Sequence, residues 1–243
     1  MNRTDLHTHT VYSDGKNTPE EMVLAAISIG MEKIGISDHS YTEFDLSYCI
    51  KKENIEKQIK EVGGLKEKYA DRIEVLCGVE QDYFATLSAD AYDYSIGSVH
   101  YVKKNGVYID VDYTREKLLT ASEELYGGDI YALLEDYYAL EGDVIDKTQA
   151  DIIGHFDLIC KLNEKQPFFD ESHPRYEAAW KNAADKLLKT GRPFEINSGA
   201  VSRGYKTDPY PSAYIKKYLE ENGATFVVSS DSHSVQTLIE SNS

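Results

Sequence analysis

The chain has 243 residues, of which 41% are hydrophobic and 28% charged, and its formal net charge is −16. These values predict a globular protein with a sizeable core, and no stretch has the roughly 18 consecutive apolar residues of a membrane span, so no membrane partner is expected. The excess of acidic residues argues against a broad nucleic-acid-binding face, which would need a basic patch. No nucleic-acid partner is therefore expected.

Two further features indicate a cytoplasmic protein. The start of the chain has no apolar signal region. The three cysteines, Cys49, Cys77 and Cys160, are odd in number and far apart, which argues against a disulfide framework and for buried thiols in a reducing compartment. Because we find no internal repeat and no linker, we predict one domain over residues 1–243; the sequence leaves the oligomeric state open.

In the first half of the chain, short β-rich runs alternate with amphipathic stretches, which is typical of an α/β protein. Thr18-Pro19-Glu20-Glu21 predicts the start of a helix, with threonine at the N-cap and proline at the first helical position. This helix should run to about Ile29. The elements predicted after it are a strand over 33–39, a helix over 51–69, and strands over 73–80 and 94–100.

The second half continues the alternation after a helical segment. Residues 114–140 are predicted to form two helical pieces broken at Gly127-Gly128, and their simplest interpretation is an insert packed beside the core, although a lid is an open alternative. The elements predicted after this insert are a strand over 150–155, a helix over 175–189, a strand over 194–197, a helix over 212–221, a strand over 226–230 and a short turn of helix over 235–240.

Together with a first strand in the extended run that ends at His7 and His9, these elements make seven successive strand–helix units. They predict a distorted (β/α)₇ barrel, which is TIM-barrel-like but one unit short. In such barrels the functional groups lie at the C-terminal ends of the strands. Six of the seven histidines and two carboxylates fall at predicted strand ends, and these are His7, His9, His39, Glu80, His100, His155, Asp231 and His233. Imidazoles and carboxylates that converge in this way predict a metal centre. The seventh histidine, His173, is predicted to be a solvated loop residue.

The motifs around these residues resemble those of the polymerase-and-histidinol-phosphatase (PHP) family. The runs that carry the resemblance are Asp5-Leu6-His7-Thr8-His9-Thr10, Ser13-Asp14-Gly15, Ser37-Asp38-His39-Ser40, Gly78-Val79-Glu80, Gly97-Ser98-Val99-His100, Ile153-Gly154-His155-Phe156-Asp157 and Ser230-Asp231-Ser232-His233. The segment over 195–211 is similar to the histidinol-phosphate phosphatase branch. The resemblance covers nearly the whole chain, and the motifs are specific in combination.

The resemblance implies two or three divalent ions, which are zinc, iron or manganese in the family. The implied ligands are His7, His9 and Asp231 for one metal, Glu80 as a bridge, His100 and His155 for a second metal, and Asp14, His39 and His233 for a third. Asp14 stands where relatives have histidine, which favours oxygen-preferring ions at the third position and leaves its filling open. Family members usually continue further after the residue equivalent to His233, so the C-terminus is expected to be truncated or its closing wall abbreviated.

The implied reaction is hydrolysis of a small phosphomonoester, most specifically L-histidinol phosphate in histidine biosynthesis. The attacking water would be held by the metals at His7, His9, Glu80 and Asp231. Arg203 is predicted to clamp the phosphate because a guanidinium forks onto two phosphate oxygens. The further candidate substrate contacts are Lys161, Asn197 and Ser198.

Two alternatives remain open from sequence. One is a PHP phosphoesterase that acts on a nucleotide or an oligonucleotide end, which the net charge of −16 and the absence of an aromatic stacking platform disfavour. The other is a non-catalytic protein that binds metal for structure. That reading predicts missing ligands and a closed site, whereas the sequence holds the whole set.

Overall fold

The computed structural model of the protein describes residues 4–242. The strands are β1 (Thr4–Asp5), β2 (Lys33–Ile36), β3 (Glu74–Asp82), β4 (Tyr94–Ser98), β5 (Tyr101–Lys104), β6 (Val107–Asp110), β7 (Ile152–Ile153), β8 (Phe194–Asn197) and β9 (Phe226–Ser229). The helices are α1 (Pro19–Ser28), α2 (Ile55–Lys68), α3 (Arg115–Tyr126), α4 (Ile130–Glu141), α5 (Val144–Thr148), α6 (Pro174–Leu188), α7 (Gly199–Ser202), α8 (Ala213–Glu221) and α9 (Val235–Asn242).

Seven of the strands form one parallel sheet in the order β1-β2-β3-β4-β7-β8-β9. The sheet curls round until the segments that follow its two edge strands meet. There the backbone N–H of His9 donates to the carbonyl of Ser232 over 2.9 Å, and the N–H of Ser232 donates to the carbonyl of His7 over 3.3 Å. The predicted seven-unit barrel is confirmed.

The start of α1 shows how local sequence sets the element boundaries. The hydroxyl of Thr18 accepts from the backbone N–H of Glu21, and the Glu21 carboxylate accepts in return from the N–H of Thr18 over 2.8 Å. This reciprocal capping satisfies two donors that the first turn of a helix leaves free. After this polar first turn, Met22, Val23 and Ala26 of α1 are buried against the barrel.

The predicted strand over 94–100 is wrong in its extent, because β4 ends at Ser98 and the chain then enters an antiparallel hairpin. The hairpin consists of β5 and β6. Its two turn residues, Asn105 and Gly106, have φ of 51° and 85°. Two successive positive φ values give a turn whose twist matches the strands, and Asn-Gly is the pair that adopts them most readily.

Residues 114–140 form a packing insert, as predicted. Helix α3 ends at Tyr126 and is capped by Gly127, where φ is 63°, and Gly128 has φ of 84°, so the chain reverses at the predicted break. Leu118 from α3 and Leu134 and Tyr137 from α4 are fully buried in the largest hydrophobic cluster of the core. The short helix α5 follows and was not predicted.

The last helix is longer than predicted, since α9 covers Val235–Asn242. It packs against α1 and is anchored through Leu238, which is fully buried, and through Asn242, whose side-chain amide donates to Asp5 over 3.0 Å. The three cysteines are free and buried. Within residues 4–242, no helix has both the length and the apolarity needed to cross a membrane.

Candidate metal centre

The carboxylate of Glu80, on β3, is the centre of the histidine cluster. Its Oε2 atom lies 2.8 Å from Nδ1 of His39 and 3.2 Å from Nε2 of His7. Its Oε1 atom lies 2.8 Å from Nε2 of His155 and 3.2 Å from Nε2 of His100. Both oxygens are fully buried. One carboxylate is therefore enclosed by imidazoles from the C-terminal ends of several strands, which is the arrangement expected for a barrel site.

The loop after β1 is fixed by a second buried carboxylate, Asp38. Asp38 accepts from the backbone N–H and the hydroxyl of Thr10 over 2.7 and 2.8 Å, from the hydroxyl of Ser13 over 2.5 Å, and from the side-chain amide of Gln58 over 2.7 Å. These bonds hold the loop that carries Asp14 against the barrel. The Ser-Asp-Gly motif is thus positioned by a residue adjacent in sequence to His39.

Asp14 meets three imidazoles at the mouth of the barrel. Its Oδ2 atom lies 3.2 Å from Nε2 of His233, and its Oδ1 atom lies 3.7 Å from Nε2 of His39 and 3.8 Å from Nδ1 of His9. Each of these four side chains offers a ligand atom within 4.8 Å of the others. His39 stands between this group and Glu80, so the structure places it beside two groups, whereas the resemblance implies only the third metal for it.

Asp231 has an unusual backbone and close partners. Its φ is 52°, a left-handed conformation that few non-glycine residues adopt. Its carboxylate lies 3.2 Å from Nε2 of His9 on one side and accepts from Nη2 of Arg203 over 3.0 Å on the other. Nη1 of Arg203 and Nδ1 of His233 both approach the Asp231 carbonyl, at 3.0 and 2.9 Å. Gly199 makes this approach possible, because a Cβ there would lie 2.6 Å from Oδ2 of Asp231.

The site shifts the pKa values of its members in opposite directions. Burial alone would raise the pKa of Glu80, but the imidazoles of His39 and His7 hold that pKa well below its ordinary value. Burial alone would lower the pKa of His7, yet Glu195 and Glu80 raise it well above the usual range. Burial, followed by the neighbouring histidines, lowers the pKa of His9 to about 3. His9 is consequently a neutral imidazole, the form that binds metal.

Several buried atoms here lie close to polar neighbours but make no hydrogen bond of good geometry among the described residues, namely Nε2 of His7, both ring nitrogens of His9 and Oε2 of Glu80. A buried polar atom without a good hydrogen bond costs folding free energy. A cation between these atoms would satisfy them together, and nitrogen and carboxylate donors suit divalent ions such as zinc, iron or manganese. The residues present therefore fit divalent metal ions.

Two carboxylates behind the histidines were not predicted from the sequence. Oε1 of Glu195, on β8, lies 2.6 Å from Nδ1 of His7, and its Oε2 accepts from the backbone N–H of His155 over 3.0 Å. Asp82 lies 3.2 Å from Nδ1 of His100. Carboxylates at the far nitrogen orient a histidine and fix its tautomer. The signal for Asp82 was its place two residues after Glu80.

A cavity of about 480 Å³ opens above this cluster, and Glu80, Lys161 and Arg203 all line it. Lys161 was predicted as a weaker candidate for a substrate contact, with a surface lysine as the favoured interpretation. Its side chain is only 12% exposed, and its Nζ lies 2.7 Å from Oδ2 of Asp112. The structure thus brings both predicted phosphate-binding cations to one cavity.

Asn197 and Ser198 are not among the residues that line this cavity. The amide of Asn197 donates to Glu195 over 2.9 Å and its oxygen accepts from the N–H of Gly199, while the hydroxyl of Ser198 donates to the carbonyl of Ser229. These contacts favour a role in positioning Glu195 and Gly199. His173 lies partly exposed in the loop before α6, where it caps that helix and stacks on Tyr131 with ring centroids 3.8 Å apart.

An α/β barrel with clustered histidine and carboxylate ligands at the C-terminal ends of its strands defines a class of metal-binding barrels, and comparison with known proteins identifies the family. The model of the PHP domain matches residues 5–199. The chain belongs to the PHP domain family. It is 25% identical over 259 aligned positions to a histidinol-phosphatase of Bacillus subtilis, which covers 96% of this chain and 94% of the relative.

Solved structures agree on the fold. The HisK protein of Listeria monocytogenes superposes with a TM-score of 0.80 at 21% identity and covers 96% of each chain. The histidinol phosphate phosphatase of Lactococcus lactis, solved with zinc, L-histidinol and phosphate, gives a TM-score of 0.68 at 18% identity and covers 99% of this chain and 93% of that one. The fold is therefore shared with these proteins.

Proposed function

We propose that this protein is a divalent-metal-dependent phosphomonoesterase whose substrate is L-histidinol phosphate. The observation that carries the proposal is the buried Glu80 carboxylate among four imidazoles, with ligand atoms that lack a good hydrogen bond, beneath a cavity that Arg203 lines. The names of the Bacillus and Lactococcus relatives support the substrate. The proposal places the enzyme in histidine biosynthesis and treats residues 1–243 as one catalytic domain.

Most of the proposed ligands fall in three overlapping groups, two of which contain Glu80. Glu80 lies between a group that contains His7 and His9 and a group that contains His39 and His100. The full proposed set is His7, His9, Asp14, His39, Glu80, His100, His155, Asp231 and His233. Zinc is supported by the Lactococcus complex, and iron or manganese would suit the same donors.

When bound, the divalent ions would lower the pKa of water and neutralise charge on the transferring phosphoryl group. The chain's own residues supply the rest. Arg203 faces the cavity with a guanidinium that Asp231 holds in place, so it can donate to phosphate oxygens without reorganising. Glu195 keeps Nδ1 of His7 occupied, which leaves Nε2 directed toward Glu80. The cluster is thus preorganised for an anionic ester.

Phosphate release is the test of this function. L-histidinol phosphate would be assayed beside a nucleoside monophosphate and a short 5′-phosphorylated oligonucleotide, with enzyme that is chelated and then reloaded with zinc, manganese or iron. We expect metal-dependent turnover of L-histidinol phosphate, far above that of the other esters. Preferred turnover of the oligonucleotide would show that an oligonucleotide end, rather than L-histidinol phosphate, is the substrate. Bound metal without turnover of any ester would indicate a binding protein.

The role of Arg203 is tested by substitution. Arg203→Lys keeps the charge but loses the forked geometry, so we expect a higher KM for the phosphate ester and a lower kcat. Arg192 is a matched control because it is a partly exposed arginine paired with Asp151 outside the cavity. Equal kinetics for Arg203→Lys and Arg192→Lys would remove Arg203 from the site.

A further inference from the structure

The wall of the cavity built by the β5–β6 hairpin carries two aspartates, whereas the carboxylates of the floor are grouped with imidazoles. Asp110 is the last residue of β6, Asp112 follows two residues later, and both line the same cavity as Glu80 and Arg203. The floor is marked as a ligand site by the buried Oε2 of Glu80, which makes no hydrogen bond of good geometry among the described residues. One cavity therefore has a pole suited to metals and phosphate and a second pole that carries excess negative charge.

The second pole is only partly neutralised by the protein. Asp112 is paired with Lys161 over 2.7 Å. Asp110 accepts the backbone N–H of Asp112 over 3.1 Å, and its carboxyl also contacts the carboxyl of Asp112. Within residues 4–242, no salt bridge joins the Asp110 carboxylate to a lysine, arginine or histidine, and the positive group that acts on it from further away is His100. Asp45 lines the same wall and accepts from the hydroxyl of Tyr101, a neutral partner. A cation from outside the chain would complete this wall.

The electrostatics of the pair agree with this geometry. Burial, with the adjacent Asp112 carboxylate, raises the pKa of Asp110 to about 6. A bound cation would relieve both the burial of charge and the repulsion between the two carboxylates. The same wall would repel additional phosphates, so it disfavours nucleotides and oligonucleotide ends.

We propose that Asp110, supported by Asp112, is the specificity determinant for a substrate that carries a protonated amine near its phosphate ester. The inference rests on the proposed phosphomonoesterase function and deepens it. The primary amine of L-histidinol phosphate is a group of this kind. Phosphate at the floor and ammonium at the acidic wall would fix the ester at two points, which orients the reacting phosphorus.

Matched esters test the proposal directly. O-phosphoethanolamine is compared with ethyl phosphate, and L-histidinol phosphate with its deamino analogue, in metal-loaded wild-type enzyme, Asp110→Asn and Asp110→Ser. Asp71→Asn is the control, because Asp71 is an exposed carboxylate in the turn before β3 and its loss changes the net charge equally. Calorimetric Kd values are measured beside turnover, so that an ester that binds without hydrolysis still gives a result.

We expect both Asp110 variants to lower kcat/KM or raise Kd for the amine-bearing esters by roughly 10-fold or more, as for loss of a charged hydrogen bond. The deamino esters should change by less than about twofold, as expected for a surface substitution. Equal losses on both members of a pair, or no loss on either, would overturn the role of Asp110. Wild-type enzyme that prefers O-phosphoethanolamine but neither binds nor hydrolyses L-histidinol phosphate would overturn the proposed substrate and leave Asp110 as the amine determinant.

Discussion

The Nδ1 atom of His7 lies 2.6 Å from Oε1 of Glu195, and both side chains are buried. The two residues are 188 positions apart in the sequence. The barrel brings them together because the segment after β1 hydrogen-bonds to the segment after β9, and β9 pairs with β8, which carries Glu195. Because Glu195 occupies Nδ1, the other nitrogen of His7 is directed at Glu80. The carboxylate thereby orients a proposed metal ligand without itself reaching the cavity.

Substituting Glu195 by glutamine should weaken metal binding. The amide keeps the volume but loses the charge, so we expect roughly a 10- to 100-fold loss of metal affinity, the usual effect of removing such a carboxylate. Zinc affinity would be measured by competition with a chelator. Glu74→Gln, at a half-exposed carboxylate paired with Lys33, is the control. An unchanged zinc affinity in Glu195→Gln would contradict the orienting role.

Glu80→Gln should abolish turnover and bound metal while the barrel remains folded. A neutral amide can neither bridge two ions nor balance the surrounding imidazoles. Metal content by elemental analysis, phosphate release and circular dichroism would be measured together. His173→Ala is the control, since His173 lies at the start of α6, and it should keep its metal and its turnover. Full activity in Glu80→Gln would rule out the proposed centre.

Gly199→Ala should damage the site by displacing two side chains at once. The new Cβ would lie 2.6 Å from Oδ2 of Asp231 and 2.8 Å from Nη2 of Arg203, which is closer than real contacts allow. We expect a loss of about 1–3 kcal/mol in the free energy of unfolding, typical of overpacking, together with a large fall in kcat/KM. Denaturant unfolding and steady-state kinetics are the measurements.

Gly63→Ala is the matched control for this substitution. Gly63 lies inside α2, and an added Cβ there would meet nothing within 4 Å. Alanine should stabilise the protein by about 0.5–1 kcal/mol because glycine is a poor helix former. Similar kinetics in the two variants would show that Asp231 and Arg203 adjust to the extra methyl group.

Glu141 should make stability depend on pH. Burial raises the pKa of its carboxyl well above the ordinary value, although the hydroxyl of Tyr137 donates to it over 2.7 Å. The folded state then holds a proton that the unfolded state loses above about pH 4.5, so stability falls as pH rises from there toward the raised pKa. For one titrating group, the free energy of unfolding can change by at most about 1.4 kcal/mol per pH unit.

Glu141→Gln should remove that slope, because the amide does not titrate. Denaturant unfolding of the chelated protein between pH 5 and 8 would compare the two forms, with Glu74→Gln as the exposed control. We expect the variant's stability relative to wild type to increase steadily with pH. If the unfolding free energies of Glu141→Gln and wild type changed with pH in parallel, the Glu141 carboxyl would ionise in the folded protein without loss of stability.

The barrel could be predicted from sequence because its signals are local. The capping pattern at Thr18, the period-2 pairs His7/His9 and Asp231/His233, and the strand-end placement of the histidines each follow from a few adjacent residues. Parallel strands then bring their C-terminal ends together whatever the details of packing. The clustering of the predicted ligands follows from topology alone.

The parts that were missed depend on tertiary contacts. Glu195 lies in a short strand, and nothing in Phe-Glu-Ile-Asn distinguishes a buried carboxylate that binds His7 from one that faces solvent. The β5–β6 hairpin had a usable signal in Asn105-Gly106, but the apolar run before it continued beyond Ser98 and concealed the end of β4. Asp110 and Asp112 were overlooked for the same reason, since their place in the cavity follows from the hairpin.

The meeting of the barrel's two edges at Thr8 and Ser232 has a thermodynamic consequence. His7 and His9 come from one side of this seam, and Asp231 and His233 come from the other. Any ion held between them cross-links segments separated by more than two hundred residues, and its binding free energy counts toward barrel closure. Metal loading and closure of the seam would then be one linked equilibrium, and chelation should expose the seam's amides to hydrogen exchange before those of β3 and β4.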